Sequence, residues 1–150
     1  MRKLILGALF ALLGTTIYAQ NTLSVGANIL GPAISSQYQL SESAVIRVDL
    51  GFTLSDNSSL SLNPQLLFHK GNNSYALDDV GMIMPYHGPG FLIGLNDGTN
   101  VYAAEFVWGF ELDLYEFPIE VFIDAGPSYT FNDNFNALTL TSSFGVRYKF

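Results

Sequence analysis

From Ala137 to Phe150 the chain alternates. Leu138, Leu140, Phe144, Val146, Tyr148 and Phe150 fall on one side, and Thr139, Thr141, Ser143, Gly145, Arg147 and Lys149 on the other. Successive side chains of a strand point to opposite faces. The pattern therefore predicts a strand with one apolar and one polar face. The same parity recurs upstream. Tyr102, Ala104, Phe106, Trp108, Phe110, Leu112 and Leu114 oppose Glu105, Val107, Gly109, Glu111 and Asp113. Ile119, Val121, Ile123, Ala125, Tyr129 and Phe131 oppose Glu120, Phe122, Asp124, Gly126, Ser128 and Thr130. Ile46, Val48, Leu50, Phe52 and Leu54 oppose Arg47, Asp49, Gly51 and Thr53, and Leu60, Leu62, Leu66 and Phe68 oppose Ser61, Asn63, Gln65 and His69.

After residue 21 no stretch holds a helical period, and turn residues punctuate the alternating segments. Eight strands are predicted: Leu23–Leu30, Ala33–Leu40, Ala44–Leu54, Ser59–His69, Met82–Leu95, Val101–Leu114, Ile119–Phe131 and Ala137–Phe150. The breaks are Gly31-Pro32, Ser41–Ser43, Ser55–Ser58, Gly71–Val80, Asn96–Asn100, Tyr115–Pro118 and Asn132–Asn136. Asp, Asn, Gly and Pro are the residues that tight turns need. Gly31-Pro32 is the weakest break; without it the first two strands fuse and the count becomes odd.

Alternation allows two barrels. A soluble, lipocalin-like barrel holds its apolar face inside and binds an apolar ligand; a membrane barrel turns that face outward. The polar face carries Gly26, Gly51, Gly94, Gly109, Gly126 and Gly145 and few lysines, which suits a crowded interior better than a solvated surface. The apolar face carries nearly all the bulky aromatics, more volume than an eight-stranded interior accommodates. Tyr102, Tyr129 and Phe131 fall at one rim, and Tyr115, Tyr148 and Phe150 at the other, as interfacial girdles require. The expected fold is an all-β, eight-stranded antiparallel up-and-down transmembrane β-barrel.

The first 19 residues read differently. Arg2 and Lys3 precede an apolar run, Leu4 to Leu13, and Thr15, Thr16 and Ala19 follow. This is the layout of a cleavable signal peptide, residues 1–19, with Gln20 beginning a barrel domain over residues 20–150. The run is too short for a spanning helix. The chain has no Cys, so it has no disulfide, thiolate metal site or lipoprotein anchor. Beyond residue 19, four basic residues face thirteen acidic ones, a net charge of 4 − 13 = −9. That excludes nucleic acid as a partner, since its binding needs clustered Lys and Arg. Charged residues are 13% and aromatic residues 14% of the chain, an unusual balance for a soluble secreted domain.

The alternating strands, the leader and the ending Phe144-Gly145-Val146-Arg147-Tyr148-Lys149-Phe150 resemble the small outer-membrane β-barrel proteins of the OmpX/OmpA-like group. The resemblance implies the bacterial outer membrane, reached by export to the periplasm. It implies outer-membrane lipid and the barrel-assembly machinery as partners, with Tyr148 and Phe150 matching the aromatic positions of the assembly signal. It implies a monomer and no cofactor. Some members have long external loops or a periplasmic peptidoglycan-binding domain; neither is expected here. The group holds structural, adhesive and lipid-modifying proteins, so the fold does not give the function.

Parity turns Arg47, Asp49, Glu105, Glu111, Asp113, Glu120, Asp124, Arg147 and Lys149 inward. Glu120 is inward at an even position, and Arg147 and Lys149 at odd ones. Facing residues of the last hairpin must then sum to an odd number near 267 or 269, which sets Glu120 opposite Arg147 or Lys149. The hairpin before it sets Asp113 opposite Glu120. A charge cluster of Asp113, Glu120, Arg147 and Lys149 is expected at the periplasmic end. Buried charges persist only when paired. Six carboxylates against three cations allow a cation path or proton relay; a packed structural plug is the other reading.

His69 and His87 are the only histidines. By parity His69 faces the lumen and His87 the outside, within Pro85-Tyr86-His87-Gly88-Pro89-Gly90, where the prolines predict a bend or bulge. A lipid acyl hydrolase or transferase needs a His within reach of a Ser and an orienting carboxylate. No nucleophile-elbow sequence is present, and no Ser–His spacing stands out. The expectation is a non-enzymatic structural or interaction barrel with no catalytic, cofactor or metal residue; His69 and His87 are weak candidates for a lipid-modifying site.

Overall fold

The computed structural model describes residues 23–30, 33–53, 59–69, 74–95, 100–131 and 136–150. The expected signal peptide lies outside them. So do the expected breaks Gly31-Pro32 and Ser55–Ser58, and all but the last residue of Asn96–Asn100 and of Asn132–Asn136. The described residues form nine strands: β1 (Leu23–Asn28), β2 (Ala33–Ser41), β3 (Ala44–Thr53), β4 (Ser59–His69), β5 (Tyr75–Leu77), β6 (Gly81–Leu95), β7 (Asn100–Leu114), β8 (Ile119–Phe131) and β9 (Asn136–Lys149). All lie in one antiparallel sheet, each long strand beside its sequence neighbour. β1 pairs with β9, and β4 pairs with β6. The sheet thus closes, through β4 and β6, into a barrel of eight long strands, each with two neighbours.

β5 is the ninth strand, and it corrects the expectation of an irregular connection from Gly71 to Val80. Tyr75, Ala76 and Leu77 pair with Ile83, Met82 and Gly81. The turn between them holds Asp78 at φ 40° and closes with Val80 N–H donating to Leu77 O at 2.8 Å. Asp tolerates the left-handed conformation that such a turn requires. β1 and β2 are separate antiparallel neighbours from Leu23↔Tyr38 to Asn28↔Ala33, so the first two segments do not fuse. The expected bulge at His87 is absent. β6 keeps one register against β7 from Gly81↔Leu114 to Leu95↔Asn100, and one against β4 from Leu60↔Leu95 to His69↔Tyr86. Proline removes donors from the ladder there without shifting it. The irregularity along the wall falls elsewhere, between Gln39 and Ser41 of β2.

The inside is mostly polar, with Val45, Leu67, Tyr86 and Val107 clustered among the polar side chains, and the outside is apolar. Ser35, Gln37, Arg47, Asp49, Gln65, Glu105, Glu111, Glu120, Asp124, Ser128 and Arg147 are buried. Trp108, Phe110, Ile123, Leu138 and Leu140 are all more than half exposed, at 54–78%. A soluble barrel has the reverse arrangement; this one matches a wall that meets lipid. Aromatic contacts gather at both rims. Phe91, Tyr102 and Phe131 pack with centroids 6.0–6.4 Å apart at the far end. Tyr148 and Phe150 meet edge to face at 5.1 Å beside Leu23, the end where the described termini lie.

The charged lumen as candidate functional site

The middle of the interior, between two cavities, is built around one aromatic ring. Phe122 on β8 is fully buried and lies between two guanidinium groups. Arg147 Cζ is 4.2 Å from the ring centroid and Arg47 Cζ is 5.2 Å from it. Cations are attracted to the face of an aromatic ring. Gly145, facing Phe122 across β8 and β9, makes room for it: a Cβ there would sit 2.6 Å from Phe122 Cε1. Gly109, facing Tyr86 across β6 and β7, does the same for that ring, with 2.6 Å to Tyr86 Cζ.

Arg47 organises the half of the lumen on one side of Phe122. Its Nη2 contacts Asp124 Oδ2 at 2.7 Å, its Nε donates to Gln65 Oε1 at 2.7 Å, and its Nη1 donates to Tyr86 OH at 3.0 Å. Tyr86 OH in turn donates to Asp124 Oδ2 at 2.6 Å, and Ser143 Oγ donates to Asp124 Oδ1. Asp49 Oδ2 lies farther from Arg47 Nε, at 3.6 Å. Nearby, Asn63 Nδ2 donates to Glu105 Oε2 at 2.9 Å.

Arg147 organises the other half. Its Nη2 contacts Glu111 Oε2 at 2.6 Å, its Nε contacts Glu120 Oε1, and its Nη1 donates to Ser35 Oγ at 3.5 Å. Ser24 donates to Glu120 Oε1 at 2.7 Å, and Gln37 Nε2 to Glu111 Oε2 at 3.3 Å. Lys149 pairs with Asp113 nearer the rim, where both side chains are half-buried. Glu120 faces Arg147, a sum of 267, and Asp113 faces Glu120. Asp113, Glu120, Arg147 and Lys149 are thus together at the terminal end. Arg47, Asp49, Glu105 and Asp124 form a second group beyond the ring.

The two arginines and Phe122 leave a cavity on either side. One, of about 290 Å³, lies toward the far end and is lined by Asp49, Asn63, Glu105 and Asp124 among others. The other, of about 240 Å³, lies toward the termini and is lined by Gln37, His69, Glu111, Glu120 and Lys149 among others.

The histidines point to opposite faces. His69 stacks on Tyr86, centroids 5.8 Å apart, and lines the terminal cavity with its Nε2 unpartnered. His87 is outside, half-buried, with Phe68 at 6.4 Å and Phe106 at 6.2 Å. Both rings have aromatic neighbours, and the hydroxyl of Tyr86, beside His69, is bonded to Arg47 and Asp124. Tyr148 and Phe150 sit on the outer face, 49% and 76% exposed. Among the described residues no group of three or more His, Cys, Asp or Glu is arranged to hold a metal ion.

Sequence reasoning did not single out Tyr86, Gln65, Gln37, Ser35 or Ser24 as members of the networks. Parity was the available signal. Tyr86 shares the inward side with Gly88, but its proline-rich surroundings read as irregular.

No protein-family model matches the chain, and no curated protein matches it in sequence. Among solved structures, the N-terminal β-barrel domain of Pseudomonas aeruginosa OprF is similar at a TM-score of 0.54 and 14% identity. The match covers 87% of this chain and 98% of that one. The fold is therefore a closed eight-stranded antiparallel β-barrel like that of the OprF domain.

Proposed function

We propose that the chain is an integral outer-membrane β-barrel with a sealed lumen, serving envelope structure or interaction. The observation that carries this reading is the inverted wall around a filled interior: apolar side chains outside, and a buried ring held between two paired arginines inside. Export by the leader at residues 1–19, and insertion by the barrel-assembly machinery into outer-membrane lipid, belong to the same reading. So does a monomeric state, because each of the eight long strands is already paired on both sides.

The sealed waist favours a plug over a cation path. Phe122 is fully buried, and both arginines beside it are held by carboxylates. Planar-bilayer recording tests this. The refolded protein is expected to give no steady conductance; steady cation-selective channels would sink the plug. A lipid-modifying activity has its test in cells. His69→Ala and His87→Ala are expected to leave lipid A and phospholipid unchanged, and an altered acyl pattern in either variant would install the enzyme reading instead.

A further inference from the structure

Two oxygens of the far cavity have no partner: Asp49 Oδ1 and Asn63 Oδ1. Asp49 is 7% exposed, and its Oδ1 borders the cavity rather than the protein surface. The two residues face each other across β3 and β4. Side chains so opposed on one face of a sheet have Cβ atoms about 4.5–5.5 Å apart, so the oxygens belong to one place. The Asn63 amide is oriented by Nδ2, which donates to Glu105; its oxygen is left for the cavity both residues line. Arg47 is shared between two carboxylates. Its close contact is Asp124 at 2.7 Å, and Asp49 is reached only at 3.6 Å. A buried acceptor left unmade is costly.

We propose that this cavity binds one hydrated divalent cation, Ca²⁺ in preference to Mg²⁺, through Asp49 Oδ1, Asn63 Oδ1 and the Glu105 carboxylate. The two unmet atoms of the residues lining this cavity, Asp49 Oδ1 and Asn63 Oδ1, are oxygen acceptors, which is what a hard cation takes. Asp49, Glu105 and Asp124 set against Arg47 leave two negative charges for a dication to balance. Carboxylate, amide carbonyl and water together suit the adaptable coordination of Ca²⁺, whereas Mg²⁺ demands a near-ideal octahedron. The protein donors are few, so the ion keeps most of its water, and about 290 Å³ gives that water room. The terminal cavity is a poorer host. Glu111 and Glu120 are already paired with Arg147, and Asp113 with Lys149. The site needs only the barrel interior and stands apart from the envelope role.

Calorimetric titration of the folded full chain in detergent micelles with CaCl₂ and MgCl₂ tests it. One saturable Ca²⁺ per chain is expected, with Mg²⁺ weaker. Asp49→Asn and Glu105→Gln should each weaken Ca²⁺ binding by about tenfold or more, since affinity follows the ligand charge count. Glu42→Gln, at the opposite end, should leave it unchanged. Heat-modifiable gel migration reports which variants have folded. Should Asp49→Asn fail to fold, Asn63→Asp decides instead, because an added carboxylate must tighten binding several-fold. Absence of saturable Ca²⁺ heat would overturn the proposal. So would unchanged affinity in Asp49→Asn and Glu105→Gln, an equal loss in Glu42→Gln, or no gain in Asn63→Asp.

Discussion

At the scale of single residues, the two inward arginines are unlike the inward lysine. Arg47 and Arg147 are fully buried, and each binds more than one partner across the lumen. Removing one leaves buried carboxylates uncompensated, which costs about 3–5 kcal/mol. Arg47→Met is therefore expected to lower the unfolding free energy in lipid vesicles by that amount, measured by guanidinium titration. Lys149, about a quarter exposed, pairs with Asp113 in partly solvated surroundings. Its replacement by Met should cost roughly 1 kcal/mol or less. Comparable losses in both variants would mean that burial does not separate the two pairs. The inward positions of these charges were legible from parity alone. Their partners were only partly so. Parity gives a residue's face, and register gives its height along one hairpin, so Glu120 against Arg147 could be counted out. The reach of Arg147 to Glu111, or of Arg47 to Asp124, crosses the lumen between strands that no turn connects directly.

At the scale of the strand, inward glycines make room for the large side chains that fill the lumen. A Cβ at Gly109 would meet Asp124 and the Ile123 carbonyl as well as the Tyr86 ring, and one at Gly145 would meet the Ala27 carbonyl as well as the Phe122 ring. Gly145→Ala crowds both the Ala27 carbonyl of β1 and the Phe122 ring. Overpacking of this kind costs about 1–3 kcal/mol, and a matched Thr141→Ala should cost much less; the same vesicle titration reads both. A Gly145→Ala variant as stable as the parent would show that Phe122 has room to move. Strand ends were legible within a residue or two wherever turn residues cluster. β5 was not. Three residues are too few for a period to emerge, and its pairing depends on β6 extending to Gly81. Nor was the even register of β6 around His87 legible. Proline signals a missing donor, and whether the ladder absorbs that loss is decided by the neighbouring strands.

At the scale of the molecule, the barrel is a polar interior wrapped in an apolar wall, and its stability should depend on where along that wall a charge is placed. Trp108 lies mid-strand in β7, and Leu138 lies near the start of β9. In lipid, Trp108→Arg should cost about 2–4 kcal/mol and Leu138→Arg about 0–1 kcal/mol. Equal, small costs would indicate a wall that meets water. The single tryptophan also permits a more direct reading without any substitution. Trp108 is 55% exposed on the outer face. The measurement is the quenching of its fluorescence in vesicles, by phospholipids brominated on their acyl chains and by aqueous acrylamide. The inverted barrel predicts strong quenching by the brominated lipid and little by acrylamide. Strong acrylamide quenching with no effect of bromine would contradict it.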